Sequence, residues 1–165
     1  MPAIPLVEPA QNEFLASLEA KTKHPNPFFR ALAHRPEALK SFVPLYSAIM
    51  GPGPVERRTK ILVYLACSYA NQCAYCIAGN EPTARKLGVT DAQLNALKSG
   101  EESGFEGAEL AAIRYARELT RTADAAESRA PLKEHYTPEQ IVELTLTASI
   151  ANFTNRCNNA FEIQP

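Results

Sequence analysis

Residues 55–71, VERRTKILVYLACSYAN, decide the fold. After Lys60 the run Ile61, Leu62, Val63, Tyr64, Leu65, Ala66 is apolar almost all round, the pattern of a segment buried on most sides. Its alanines and its length favour helix over strand. Upstream, Gly51-Pro52-Gly53-Pro54 makes a turn. Ahead of that turn Pro36 suits the first position of a helix over Glu37–Met50, with Leu39, Phe42, Val43, Tyr46 and Ile49 on one face. Pro44 inside that run predicts a kink. Residues 28–34 read as a short helix. His24-Pro25-Asn26-Pro27 ends an earlier one that starts at Asn12 and carries Phe14, Leu15 and Leu18. Residues 1–11 hold three prolines without periodicity and are expected to form an extended arm.

The downstream half also reads as helix. A helix after Cys76 runs to Leu87, where Gly88 caps it. Thr90-Asp91-Ala92-Gln93 is a capping box opening a short helix to about Lys98. Residues 99–107 are a glycine-rich loop, and Ala108, Ala111, Ala112, Tyr115 and Leu119 form a helical stripe over 107–123. Residues 124–136 look polar and irregular. Thr137-Pro138-Glu139-Gln140 combines cap, first-turn proline and capping-box glutamine, and its helix is expected to reach about Asn158. No segment alternates like a strand, so the chain reads as one all-α domain over residues 1–165.

Composition agrees with that reading and narrows the function. Hydrophobic residues are 45% and charged residues 21%, a globular balance that excludes disorder. Seventeen Lys and Arg against eighteen Asp and Glu leave a net charge of −1, with no basic excess for nucleic acid. No long apolar run or signal-peptide pattern is present, so no membrane partner and a cytoplasmic location are expected. Alanine occurs 26 times and tryptophan never, which calls for a core of small aliphatic side chains.

The chemistry-bearing residues are four cysteines at 67, 73, 76 and 157, two of them as Cys73-Ala74-Tyr75-Cys76. A helix starting at Asn71, with that residue as cap, would put Cys73 at the second helical position and Cys76 one turn along. Three-residue spacing sets both sulfurs on one face, within reach of a disulfide. Unpaired N–H groups at a helix start lower a thiol pKa from about 8.5, favouring Cys73 most. Redox chemistry, core packing and metal binding are all open to such a pair. Zinc lacks a second paired motif, because Cys67, Cys157, His24, His34 and His135 are not at ligand spacing. Cys67 and Cys157 read as core residues.

Residues 61–90, ILVYLACSYANQCAYCIAGNEPTARKLGVT, resemble the signature segment of the carboxymuconolactone decarboxylase / AhpD-like alkylhydroperoxidase superfamily. The likeness extends to His34-Arg35-Pro36-Glu37-Ala38-Leu39, to Thr137–Leu144 and to Asn155-Arg156, in the peroxidase-related branch. It implies an AhpD-like bundle of about six to eight helices and a homo-oligomer built from dimers, up to trimers or hexamers. It implies that Cys76 attacks peroxide and Cys73 resolves it. It also implies a proton relay from a histidine four residues after Cys76 and a glutamate twelve before Cys73. Those positions hold Asn80 and Ile61, neither of which can act as a base. Pro82 is a third departure and predicts a kink after Gly79. Glu81, Tyr69, Tyr64 and Glu56 are candidate substitutes for the relay. The loss of the histidine leaves the helix start as the main thiolate stabiliser, so the order of attack is open to reversal in favour of Cys73.

The leading expectation is therefore a thiol–disulfide oxidoreductase or peroxidase using Cys73 and Cys76. It needs no metal or organic cofactor, takes a small peroxide or disulfide, and is recycled by a thiol or dithiol reductant. A degenerate binding or scaffold protein is the alternative, and a decarboxylase-type enzyme ranks third.

Overall fold

Every residue from Thr59 to Ser68 is buried, so the stretch that dominates the sequence becomes the axis of the molecule. The structure, a computed structural model, describes residues 1–165. It contains α1 (Glu13–Thr22), α2 (Pro27–Leu32), α3 (Pro36–Met50), α4 (Arg57–Ala70) and α5 (Ala74–Lys86). It continues with α6 (Asp91–Ser99), α7 (Gly107–Thr122), α8 (Arg129–His135) and α9 (Pro138–Ala160), and it has no strand. Helices α5, α6, α7 and α9 pack directly on α4. Burying a leucine contributes about 1.5–3 kcal/mol. The side chains of Leu62, Val63 and Leu65, all 0% exposed, therefore outweigh any single surface contact in holding α4 central.

The class is as expected, with nine helices against about six to eight, and two of the nine, α2 and α8, are very short. The second corrects the reading of 124–136 as irregular. Leu132 is the single buried residue of α8, too little for a period to show, and Pro131 sits in the first turn, where its missing N–H is harmless. Both capping boxes form, Thr90 with Gln93 and Thr137 with Gln140. Pro44 lies within α3 and Pro82 within α5, each on an exposed face, and both helices continue past them. Residues 1–11 are extended apart from a 3-10 turn at Pro9–Gln11. They are fastened to the body: the Ala3 N–H donates to the Phe161 carbonyl at 2.9 Å, and His34 Nε2 lies 2.7 Å from the Pro5 carbonyl.

A buried ion pair at the start of α4 has no local signature in the sequence. Lys60, 0% exposed, donates from Nζ to Glu143 Oε1 at 2.8 Å, to the Ile49 carbonyl at 3.1 Å and to the Gly51 carbonyl. Glu143 Oε2 accepts from the Val55 N–H at 2.7 Å. The Gly-Pro-Gly-Pro turn is thereby clamped between α4 and α9. Gly53 is required there, because a Cβ would collide with the Glu143 carboxylate that Lys60 and the Val55 N–H hold in place. Removing one member of such a pair leaves the other charge buried alone. Lys60→Met is expected to lower the unfolding free energy by about 3–5 kcal/mol, measured by urea denaturation. Adding Glu143→Leu is expected to restore part of it. A loss below about 1 kcal/mol in the single variant would show the pair to be dispensable.

Candidate functional site

The link from α4 to α5 places the cysteine pair. Gln72 adopts the left-handed conformation (φ 54°), so the chain leaves α4 and starts α5 within three residues. The Cys73 N–H donates back to the Ser68 carbonyl at 2.9 Å. Cys73, not Asn71, is then the N-cap of α5: its Sγ accepts from the Cys76 N–H at 3.3 Å. This corrects the expected helix start by two residues. Asn71 instead closes α4, and its side-chain amide is taken by Asn152 Oδ1 (2.8 Å) and Asn155 Oδ1 (3.0 Å) of α9.

Cys73 and Cys76 are joined as a disulfide, with Cα atoms 5.3 Å apart. Cys73 is sealed in the core, whereas Cys76 forms part of the wall of a cavity of about 410 Å³. The cavity floor is buried: Cys76, Tyr64, Thr154 and Asn158. Phe28, Phe42, Tyr46 and Tyr75 add aromatic walls, and Ala78 and Gly79 are exposed at the mouth. No charged side chain lines it. A larger hollow of about 530 Å³ lies elsewhere, bordered by Arg114, Arg117 and Glu118, and contains neither cysteine of the pair.

The remaining sequence candidates lie at varying distances from this chemistry. Asn80 turns its amide back to donate to the Cys76 carbonyl at 2.8 Å rather than to either sulfur. Tyr69 donates to Glu81 Oε1 at 2.7 Å, and Glu81 also pairs with Arg85 at 3.0 Å. Burial and the adjacent Glu81 carboxylate push the Tyr69 phenol up, away from proton exchange near neutrality. Ile61 is buried in α4 and Glu56 is exposed. Tyr64 reaches the cavity, but its hydroxyl bonds to Thr154 Oγ1, and burial raises its pKa far above neutrality. No acidic or basic side chain hydrogen-bonds either sulfur. No cluster of three His, Cys, Asp or Glu side chains is placed to hold a metal ion.

The residue the sequence reading missed is Asn158. From the last turns of α9 its Nδ2 donates to Cys76 Sγ at 3.4 Å and to the Thr154 carbonyl at 2.9 Å. Both partners are acceptors, which fixes the amide orientation. Its Oδ1 is the one buried side-chain polar atom without a hydrogen-bond partner. A signal was present. Asn152, Asn155, Asn158 and Asn159 crowd a helix interior, where asparagine is disfavoured unless its side chain has a partner. All four do: Asn155 donates to Ser68 Oγ (3.0 Å), Asn152 to Thr120 Oγ1 (3.0 Å) and Asn159 to the Asn71 carbonyl (2.8 Å).

The other two cysteines are outside the site. Burial pushes the Cys67 thiol up to about 11 and also raises that of half-buried Cys157. A raised thiol pKa means that the folded state keeps a proton the unfolded state has lost. Cys67 therefore contributes stability present below an ordinary thiol value of about 8.5 and lost as pH climbs to about 11. In the oxidised protein, urea stability is expected to fall over that range, and less so in Cys67→Ala. Equal losses in the two proteins would contradict it.

Known proteins share this fold. A Bacillus subtilis protein, YdfG, is 32% identical over 112 residues, covering 64% of this chain and 75% of its own. A peroxidase-related protein from Ralstonia eutropha with an alkylhydroperoxidase AhpD core superposes with a TM-score of 0.85 at 20% identity, over 99% of this chain and 92% of that one. The debrominase Bmp8, also solved with 2,3,4-tribromopyrrole, gives 0.83 at 20% identity over 98% and 91% of the two chains. The model of the carboxymuconolactone decarboxylase family matches residues 36–118, which span α3 to α7 and include the cysteine pair; the chain belongs to that family.

Proposed function

We propose that this chain is a thiol–disulfide oxidoreductase that reduces hydroperoxides, with Cys76 as the attacking sulfur and Cys73 as the resolving one. The observation that carries the reading is the asymmetry of the pair: both sulfurs are in bonding reach, but only Cys76 borders the cavity. That access argues against the reversed order in which Cys73 attacks first. Cys73 accepts a helix-start N–H, yet it is 0% exposed and does not line the cavity that Cys76 borders.

In the reduced enzyme the Cys76 thiolate attacks the terminal peroxide oxygen. The S–O bond forms as the O–O bond breaks, and the departing alkoxide takes a proton to become the alcohol. The Cys73 thiolate then attacks the Cys76 sulfur, forming the S–S bond and releasing water after protonation. Sulfur loses two electrons and the peroxide gains two. A thiol or dithiol reductant returns them and closes the cycle.

Asn158 takes the place of the missing relay in part. It cannot remove a proton, but its amide N–H favours a charged sulfur over a neutral one. The same missing base supports a second reading, a binding or scaffold protein with a residual cysteine pair. The exposed apolar side chains Leu45 on α3 and Val142, Leu146 and Phe153 on α9 support assembly into a homo-oligomer.

Mild hydroperoxide treatment of the reduced protein is expected to remove two hydrogens from the peptide holding residues 73 and 76, read by mass spectrometry. Multiple turnover with a dithiol is expected to vanish in Cys76→Ser. Thiols that stay unchanged under this treatment favour the scaffold. Asn158→Ala is expected to slow single-turnover oxidation about tenfold at neutral pH, the loss of one hydrogen bond to a charged group. It is also expected to move the pH midpoint of the rate upward, which a purely structural role would not do. An unchanged pH midpoint would remove Asn158 from the mechanism.

A further inference from the structure

Gly79 occupies the middle of α5, one turn after Cys76 and on the same face. Glycine weakens a helix interior relative to alanine, so its presence there calls for a reason. Backbone conformation does not supply one, because its φ is not positive. Packing does not supply one either: a Cβ built on Gly79 meets nothing within 4 Å. What Gly79 does border is the mouth of the cavity above Cys76.

The cavity itself restricts what can enter. Its walls are mainly aromatic, with Asn26, Asn80, Thr154 and Asn158 as uncharged polar members, and no charged side chain faces it. An anionic or cationic substrate would lose hydration there without meeting a side chain of opposite charge. An apolar cavity of about 150 Å³ already holds benzene, so one of about 410 Å³ has room for a ring and its substituent.

We infer that the Cys76 cavity takes an uncharged organic hydroperoxide bearing an aromatic ring, and that Gly79 sets this specificity by keeping the mouth open. The inference rests on the proposed peroxide chemistry of Cys76 and names its substrate class. The ring lies against Phe28, Phe42 and Tyr46, with the peroxide directed to Cys76 on the floor. A side chain at position 79 narrows the path for the ring while leaving it open to hydrogen peroxide.

The test compares wild type, Gly79→Ala and Gly79→Leu. Single-turnover oxidation of the reduced proteins is followed with cumene hydroperoxide and with hydrogen peroxide. Binding is followed separately, without chemistry, by the thermal shift of the oxidised proteins with the product alcohol 2-phenylpropan-2-ol and with benzoate. Wild type is expected to react faster with cumene hydroperoxide and to be stabilised by the alcohol but not by benzoate. In Gly79→Leu the cumene hydroperoxide rate is expected to fall about tenfold or more, the scale set by an added group in a fitted pocket. The hydrogen peroxide rate is expected to stay within about twofold, and the alcohol shift to disappear. Gly79→Ala guards against a Leu variant that does not fold. It is expected to melt higher than wild type without ligand and to fall between the other two in selectivity.

Equal losses with both peroxides, an unchanged cumene hydroperoxide rate, or benzoate binding as well as the alcohol would overturn the inference. If neither peroxide oxidises the pair, the chemistry of Cys76 is refuted and the hydroperoxide assignment with it. Alcohol binding that Gly79→Leu abolishes would still support the aromatic cavity and its gate.

Discussion

A helix apolar on every side can exist in water only if other helices enclose it, and α4 imposes that condition on the rest of the chain. Its N-terminal end carries one charge into the interior, Lys60, which is compensated by Glu143 and two backbone carbonyls. That pair fixes where α9 lies against α4. From Glu143 to Asn158 is fifteen residues along a continuous helix, about 22 Å. Asn152, Asn155 and Asn159 then attach the far end of α9 to Ser68, Asn71 and Thr120. Anchored at both ends, α9 holds the Asn158 amide against the sulfur of Cys76.

The consequence is a cysteine pair with a hydrogen-bonding environment and no proton relay. The helix-start N–H addresses Cys73 and the Asn158 amide addresses Cys76, so each sulfur has one donor. Access, not electrostatics, separates the two. Cys76 borders the aromatic cavity and Cys73 does not. In the proposed chemistry, a chain without a resident base relies on the thiolate fraction that such donors sustain and on holding the substrate in place.

What could be read in the sequence was whatever depends on neighbours along the chain. Both capping boxes, the buried run of α4 and the stripe of α7 follow from local pattern, and all formed. Asn71 shows the limit. The expected cap of α5, it is instead engaged by Asn152 and Asn155, some eighty residues away, and Cys73 caps the helix. Lys60 and Glu143 are eighty-three residues apart, and nothing local marks either as buried. Helix α8 was hidden because one buried leucine makes no period. The cysteines were legible through their spacing, while Asn158 was not, since its role exists only once α9 crosses α5. Its neighbours Asn152, Asn155 and Asn159 were the available hint.

The central claim is that Cys76 meets the oxidant first, and trapping its oxidised form tests that most directly. Reduced Cys73→Ser and Cys76→Ser variants would each be treated with one equivalent of cumene hydroperoxide in the presence of dimedone. Peptide mass spectrometry then locates the trapped sulfenic acid. The account predicts a dimedone adduct on Cys76 in Cys73→Ser and none on Cys73 in Cys76→Ser. An adduct on Cys73 with Cys76 unlabelled would contradict it.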